Sequence, residues 1–122
     1  MEATLKDKAM RGIATFLIRH DMEILEEGWA HGKDKIDFIA DDDGELVFVE
    51  CKIRHNEGDG LGAEKPSRKK LERIAAAYLA DNLDIPEGTV RFDYVTMLIV
   101  GDHKALIRHH RNALAADSND LG

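Results

Sequence analysis

Two acids and a lysine stand near one another in this chain in a pattern suited to phosphodiester chemistry. Asp37 lies in an apolar run at residues 36–41, and Glu50 and Lys52 sit two apart near the end of a second run at 45–54. Carboxylate oxygens are hard ligands, and Mg²⁺ takes one or two acids while filling its other positions with water and phosphate. A lysine beside such a site can orient or activate the attacking water, or stabilise charge on the phosphoryl oxygens. Asp37, Glu50 and Lys52 are therefore the candidate catalytic residues, with Asp37 and Glu50 as the side chains that would hold the ion.

The elements that carry them read as two strands joined by Asp43-Gly44, the favoured two-residue hairpin turn. Counting outwards from that turn, Asp42 faces Glu45, Ile39 faces Phe48, and Asp37 falls opposite Glu50. One face then holds Asp37, Ile39, Phe48, Glu50 and Lys52, and the other Phe38, Ala40, Val47, Val49 and Cys51. Strands apolar on both faces belong inside a covered sheet. Two carboxylates directly opposed across a sheet repel each other, so something must neutralise them. A divalent cation would do so. Lys35 shares the face and falls opposite Lys52, so two lysines and two acids forming ordinary cross-strand salt bridges is an equally open reading of the spacing.

Around this hairpin the apolar residues Leu5, Ala9, Ile13, Phe16, Leu17, Ile24 and Leu25 recur at helical spacing. They predict a first helix over residues 4–26 that stops at Gly28, followed by Trp29 as a core or rim anchor. Residues 55–64 are rich in glycine and read as a mobile flap beside the site. Ser67 is the expected N-cap of a second helix whose first turns carry Arg68, Lys69, Lys70 and Arg73. These four are the candidate nucleic-acid contacts, helped by the positive end of the helix dipole, although a basic run of this length is also a common solvated face. Residues 90–100 read as an interior strand and 105–114 as a final strand or short helix. His109 and His110 are adjacent, so on a strand they point to opposite sides and do not form a joint metal site.

The 122 residues fit one domain, 1–122, with flexible ends expected at 1–8 and 115–122. Hydrophobic residues are 43% and charged residues 34% of the chain, which is globular rather than disordered composition. A formal net charge of −7 disfavours sequence-blind nucleic-acid binding, but the sign is segregated. Acids crowd residues 41–50 and bases crowd 65–73. The single cysteine, Cys51, excludes an internal disulfide or a Cys-cluster zinc site. With no apolar run of membrane-spanning length and no signal-like start, the expected location is the cytoplasm, with no membrane partner.

Taken in order, the segments Ile36-Asp37-Phe38-Ile39-Ala40, Leu46-Val47-Phe48-Val49-Glu50-Cys51-Lys52-Ile53-Arg54, Ala75-Ala76-Ala77-Tyr78-Leu79 and Arg91-Phe92-Asp93-Tyr94-Val95 resemble the YraN family of endonuclease-like proteins. The closing stretch Ile107-Arg108-His109-His110-Arg111-Asn112-Ala113-Leu114 is similar to that family's last segment. The resemblance implies an α/β, restriction-endonuclease-like fold with a central mixed β-sheet flanked by helices, in the order helix, three strands, helix, strands. It carries an acid and then Glu-x-Lys onto Asp37, Glu50 and Lys52, with the backbone carbonyl of Cys51 completing the shell of a Mg²⁺ or Mn²⁺ ion. It also implies a third strand near Trp29 or Ile53, which the periodicity does not place. Two departures concern the site. Ala9-Met10 and Asp34-Lys35 stand where the family usually has Gly-Glu, and both changes remove acid near the expected cation.

The leading expectation is a Mg²⁺-dependent endonuclease hydrolysing phosphodiester bonds in DNA, with a homodimer as an attractive assembly because one small unit cuts one strand. The alternative is a catalytically degenerate nucleic-acid-binding or protein-interaction module on the same fold.

Overall fold

Helix α1 (Leu5–Arg19) opens on a capping box. Thr4 Oγ1 accepts from the Asp7 amide at 3.0 Å, and Asp7 Oδ2 accepts from the Thr4 amide at 3.1 Å. That reciprocal pair starts the helix at residue 5. The computed structural model describes residues 4–55, 67–82, 89–101 and 104–114. The segment 56–64 of the expected flap and the tail 115–122 lie outside the described residues.

The first helix is shorter than its periodicity predicts. Asp21 adopts φ 66°, the Asp21 amide donates to the Ile18 carbonyl at 3.0 Å, and the Met22 amide donates to the Leu17 carbonyl at 3.1 Å. This is a Schellman ending with aspartate where glycine is usual, and buried Met22 packs into the same cluster as Leu17. Residues 20–26 are therefore not helical. The chain continues as strand β1 (Glu23–His31), the third strand that periodicity left unplaced.

Strand β1 pairs antiparallel with β2 (Asp34–Asp42) through a turn in which Gly32 takes φ 59°. The pairing slips between Ile24 and Glu26, so Leu25 is the extra residue of a bulge. Gly28 does not end a helix but lies within this strand, at φ 63°. Strand β2 then turns through Asp43 (φ 54°) and Gly44 (φ 91°) into β3 (Glu45–Arg54). Positive φ at both central residues makes the tight hairpin predicted for Asp-Gly. Asp42 pairs with Glu45 and Ile39 with Phe48, in the expected register.

Helix α2 (Arg68–Asp81) starts at Ser67, whose hydroxyl accepts from the Lys70 amide at 3.3 Å. Strand β4 (Val90–Val100) returns beside β3 in parallel, and β5 (Lys104–His110) closes the sheet antiparallel to β4. The segment at 105–114 is thus a strand followed by a turn. The result is an open mixed sheet in the order β1-β2-β3-β4-β5.

The two faces of the sheet bury two apolar clusters. Ala9, Ile13 and Leu17 of α1 pack with Phe38, Ala40, Val47, Val49, Val95 and Met97, while Leu71, Ile74 and Tyr78 of α2 pack with Ile39, Leu46 and Phe48. Alternate residues of β3 therefore serve opposite helices, which is why the strand is apolar throughout. Trp29 meets Tyr78 edge-on at 5.3 Å between ring centroids, as an anchor under α2. Fully buried Phe48 touches Tyr78 and Phe92, and truncating such a ring to alanine costs about 3–5 kcal/mol. No helix among the described residues is long and apolar enough to cross a membrane.

Candidate active site

The ladder between β2 and β3 stops at the pair Phe38 and Val49. Just beyond it, the Cys51 amide donates to a side chain, Asp37 Oδ2, at 2.7 Å. The side chain of Asp37 thus takes over where strand pairing ends, and the two strands leave a hollow between them. Lys35, Asp37, Glu50, Cys51, Lys52, Lys70 and Tyr94 line this cavity of about 320 Å³. Asp37, Glu50, Cys51 and Lys52 are thereby brought together.

Asp37 also borders two further hollows that reach α1, one of them shared with Met10 and Lys35 and the other with Met10 and Lys52. Met10 therefore lines hollows that Asp37 also borders. Burial raises the Asp37 carboxyl above the ordinary aspartate range. The Cys51 amide opposes that rise, Glu50 adds to it, and Lys6 and Lys35 pull the other way. Burial also pushes the Cys51 thiol well above its usual range, with Asp37 and Glu50 adding to the effect. Its sulfur packs against the α1 cluster as a neutral thiol, so only its backbone can serve a hard cation.

Two carboxylates at a polar cavity suit the oxygen preference of Mg²⁺ or Mn²⁺, which retains waters and recruits substrate phosphate for its other positions. No cluster of three or more His, Cys, Asp or Glu side chains fit to hold a metal occurs among the described residues. Glu50 already has a cationic neighbour. Lys70 Nζ lies 2.8 Å from Glu50 Oε1, with side-chain exposures of 33% and 20%. The cavity wall thus carries three ammonium groups, Lys35, Lys52 and Lys70, against two carboxylates. Neither expected opposition, Asp37 with Glu50 or Lys35 with Lys52, is a ladder pair, because the ladder ends at Phe38 and Val49. Lys35 pairs with Ala30 of β1, because β2 has already left β3.

The four candidate phosphate contacts on α2 divide by their neighbours. Arg68 donates to the Leu114 carbonyl at 2.7 Å and pairs with Glu72 at 4.0 Å. Arg73 grips Asp34 through two 3.0 Å hydrogen bonds that hold the Asp34 carboxyl below its ordinary range. Lys70 is bound to Glu50. Lys69 is exposed.

Sequence reasoning missed a second polar cluster, on β4 beside Val47 and Val49 and reaching back to the β2–β3 hairpin. Asp93, fully buried, accepts from Arg91 Nε at 2.9 Å and Nη2 at 3.0 Å, from His109 Nε2 at 2.7 Å and from the Asn112 amide at 2.9 Å. Burial alone would raise the Asp93 carboxyl, but the His109, Arg91 and Asn112 donors outweigh it and hold it below the ordinary range. Arg91 also pairs with Asp42 at 2.9 Å and Glu45 at 3.0 Å. The available signal was Arg91 and Asp93 two apart in an otherwise apolar strand, which places both charges on one buried face. His110 turns the other way and stacks on Tyr94, as adjacent strand positions require.

The family described as "Uncharacterised protein family UPF0102" matches residues 11–97, a span that contains Asp37, Glu50, Lys52 and all of α2. The chain belongs to the UPF0102 family. This is the YraN family of the sequence resemblance. Among its relatives, a UPF0102 protein of Nocardia farcinica is 35% identical over 79% of this chain and 77% of its own length. A UPF0102 protein of Chlorobaculum parvum is 38% identical over 70% of this chain and 67% of its own, and one of Rhodococcus jostii is 35% identical over 82% and 86%.

Proposed function

We propose that this UPF0102 chain is a metal-dependent nuclease that hydrolyses phosphodiester bonds in DNA, on a restriction-endonuclease-like fold. The observation that carries this reading is the shared cavity where β2 and β3 stop pairing, lined by Asp37, Glu50 and Lys52. Asp37 and Glu50, with the Cys51 carbonyl, are the groups that would hold Mg²⁺ or Mn²⁺. A bound ion would supply Lewis acidity and charge neutralisation at the phosphoryl oxygens. Lys52 stands on the cavity wall to orient the attacking water or to stabilise charge on the phosphoryl oxygens. The first turn of α2 carries Arg68, Lys69 and Lys70 and no acid, which suits the approach of a phosphate backbone.

The test is incubation of purified protein with single-stranded, duplex and branched DNA, with and without Mn²⁺, beside Glu50→Ala and Lys52→Ala. Cleavage should require the metal and fall by roughly 10² or more in each variant. Absence of metal-dependent cleavage, or cleavage that survives both substitutions, would sink the proposal.

One observation favours the second reading, a degenerate nucleic-acid-binding or protein-interaction module. Lys70 already neutralises Glu50, and Lys35 acts on Asp37. Salt-sensitive DNA binding without cleavage under any metal would select the nucleic-acid-binding form.

A further inference from the structure

We infer that Lys70 is the resident counter-ion of Glu50, that a divalent ion enters the cavity by displacing it, and that the displaced ammonium then serves a phosphate. This rests on the metal-site reading above and adds a regulatory step to it, in which metal and phosphodiester are taken up together.

The geometry supplies the first half. Lys70 Nζ sits 2.8 Å from Glu50 Oε1, occupying an oxygen that a metal ion would need. Both groups are partly exposed, so the pair is a screened ion pair that an incoming cation can compete with. The position of Lys70 supplies the second half. It lies in the first turn of α2, where the helix dipole disfavours a cation, and Arg68 and Lys69 are beside it with no acid in that turn. Glu50, in direct contact, and Asp34, at longer range, offset this. Once Glu50 is neutralised by another cation, Lys70 keeps only the longer-range pull of Asp34, which Arg73 already grips, and gains by meeting an anion.

Lys35 and Lys52 line the same cavity, so a phosphate bridging the ion and these ammonium groups would gain further favourable contacts.

The experiment is Mn²⁺ binding without nucleic acid, read from the electron paramagnetic resonance signal of free Mn²⁺, in wild type, Lys70→Met and Glu50→Gln. Lys70→Met should tighten Mn²⁺ binding by on the order of fivefold, the scale of a partly exposed ion pair. Glu50→Gln should weaken it. A second readout needs no variant: acylation of Lys70 in the wild type, followed by peptide mass spectrometry, should speed up when Mn²⁺ is added. If the wild type binds Mn²⁺ but Lys70→Met binds no more tightly and Lys70 acylation is unchanged, the displacement step is wrong while the metal site stands. If neither wild type nor Lys70→Met binds Mn²⁺, both the metal site and the displacement step fall. Should Lys70→Met not fold, the acylation result decides the matter.

Discussion

The Cys51 amide donates to Asp37 Oδ2 at 2.7 Å across the point where β2 and β3 cease to pair. That bond needs an acceptor at position 37 but not a charge, and the surroundings work against the charge. Burial raises the Asp37 carboxyl, and Glu50 adds to the rise. A carboxyl raised in the folded state favours folding while protonated and loses that contribution as pH rises through its folded value. Asparagine keeps the acceptor and removes the charge. Without metal, Asp37→Asn should therefore melt above the wild type near neutral pH, with the gap closing towards about pH 4, where free aspartate is itself half protonated. Thermal melts across pH check this. A variant that melts lower at neutral pH would show that Lys6 and Lys35 outweigh burial.

The basic residues of α2 should separate by function. Arg73 is engaged by Asp34 and Lys69 is exposed. If the chain binds DNA through this turn, Lys69→Ala should leave the melting temperature unchanged and reduce the slope of log K against log salt by about 1. Arg73→Ala should instead lower the melting temperature slightly, with a smaller change in slope. Binding isotherms at several salt concentrations, beside thermal melts, give both readouts. Equal slopes in wild type and Lys69→Ala would remove this turn from the interface.

On β4, in register with Val49, Asp93 ties Arg91 of its own strand to His109 of β5 and to the turn at Asn112. Removing one member of such a buried set leaves the other charges uncompensated. Asp93→Leu should cost about 3 kcal/mol or more, measured by urea unfolding near neutral pH. The donors hold Asp93 below its ordinary range, so its contribution is present above the unfolded value and is lost as pH falls through the folded one. The cost of Asp93→Leu should shrink accordingly in acid. A loss that does not vary with pH would assign the effect to packing alone.

The parts of this structure that can be read from the sequence are those set by local chemistry. Asp43-Gly44 demands one hairpin and one register, and both are present from the turn as far as Phe38 and Val49, beyond which the expected pairing stops. Ser67 caps α2 as its position suggests. Strand β1 hides because two local rules are broken in succession. Asp21 ends α1 in place of glycine, and the bulge at Leu25 spoils the alternation that marks a strand. The candidate catalytic residues were legible because β3 carries Glu50, Cys51 and Lys52 in one short run. The Lys70 and Glu50 pair was not, since the two residues lie 20 apart on different elements and nothing in either one names its partner.

Two left-handed positions should respond to substitution with opposite signs. Asp21 holds φ 66° at the end of α1, where the missing Cβ of glycine would relieve strain. Asp21→Gly should stabilise the fold by about 0.5 kcal/mol, the relief being partly offset by the extra freedom glycine gives the unfolded chain. Gly44 holds φ 91° in the hairpin, and nothing lies within 4 Å of where its Cβ would be. A cost on Gly44→Ala is therefore backbone strain rather than a clash, about 1–2 kcal/mol. Register should survive, because shifting β3 by one residue would turn Val47 and Val49 away from α1 and Phe48 away from α2. Urea midpoints measure the two energies, and unchanged amide chemical shifts around Glu50 in Gly44→Ala would show the register intact. Shifts spread along all of β3 would mean that the turn, and not the two clusters, holds Asp37 beside Glu50.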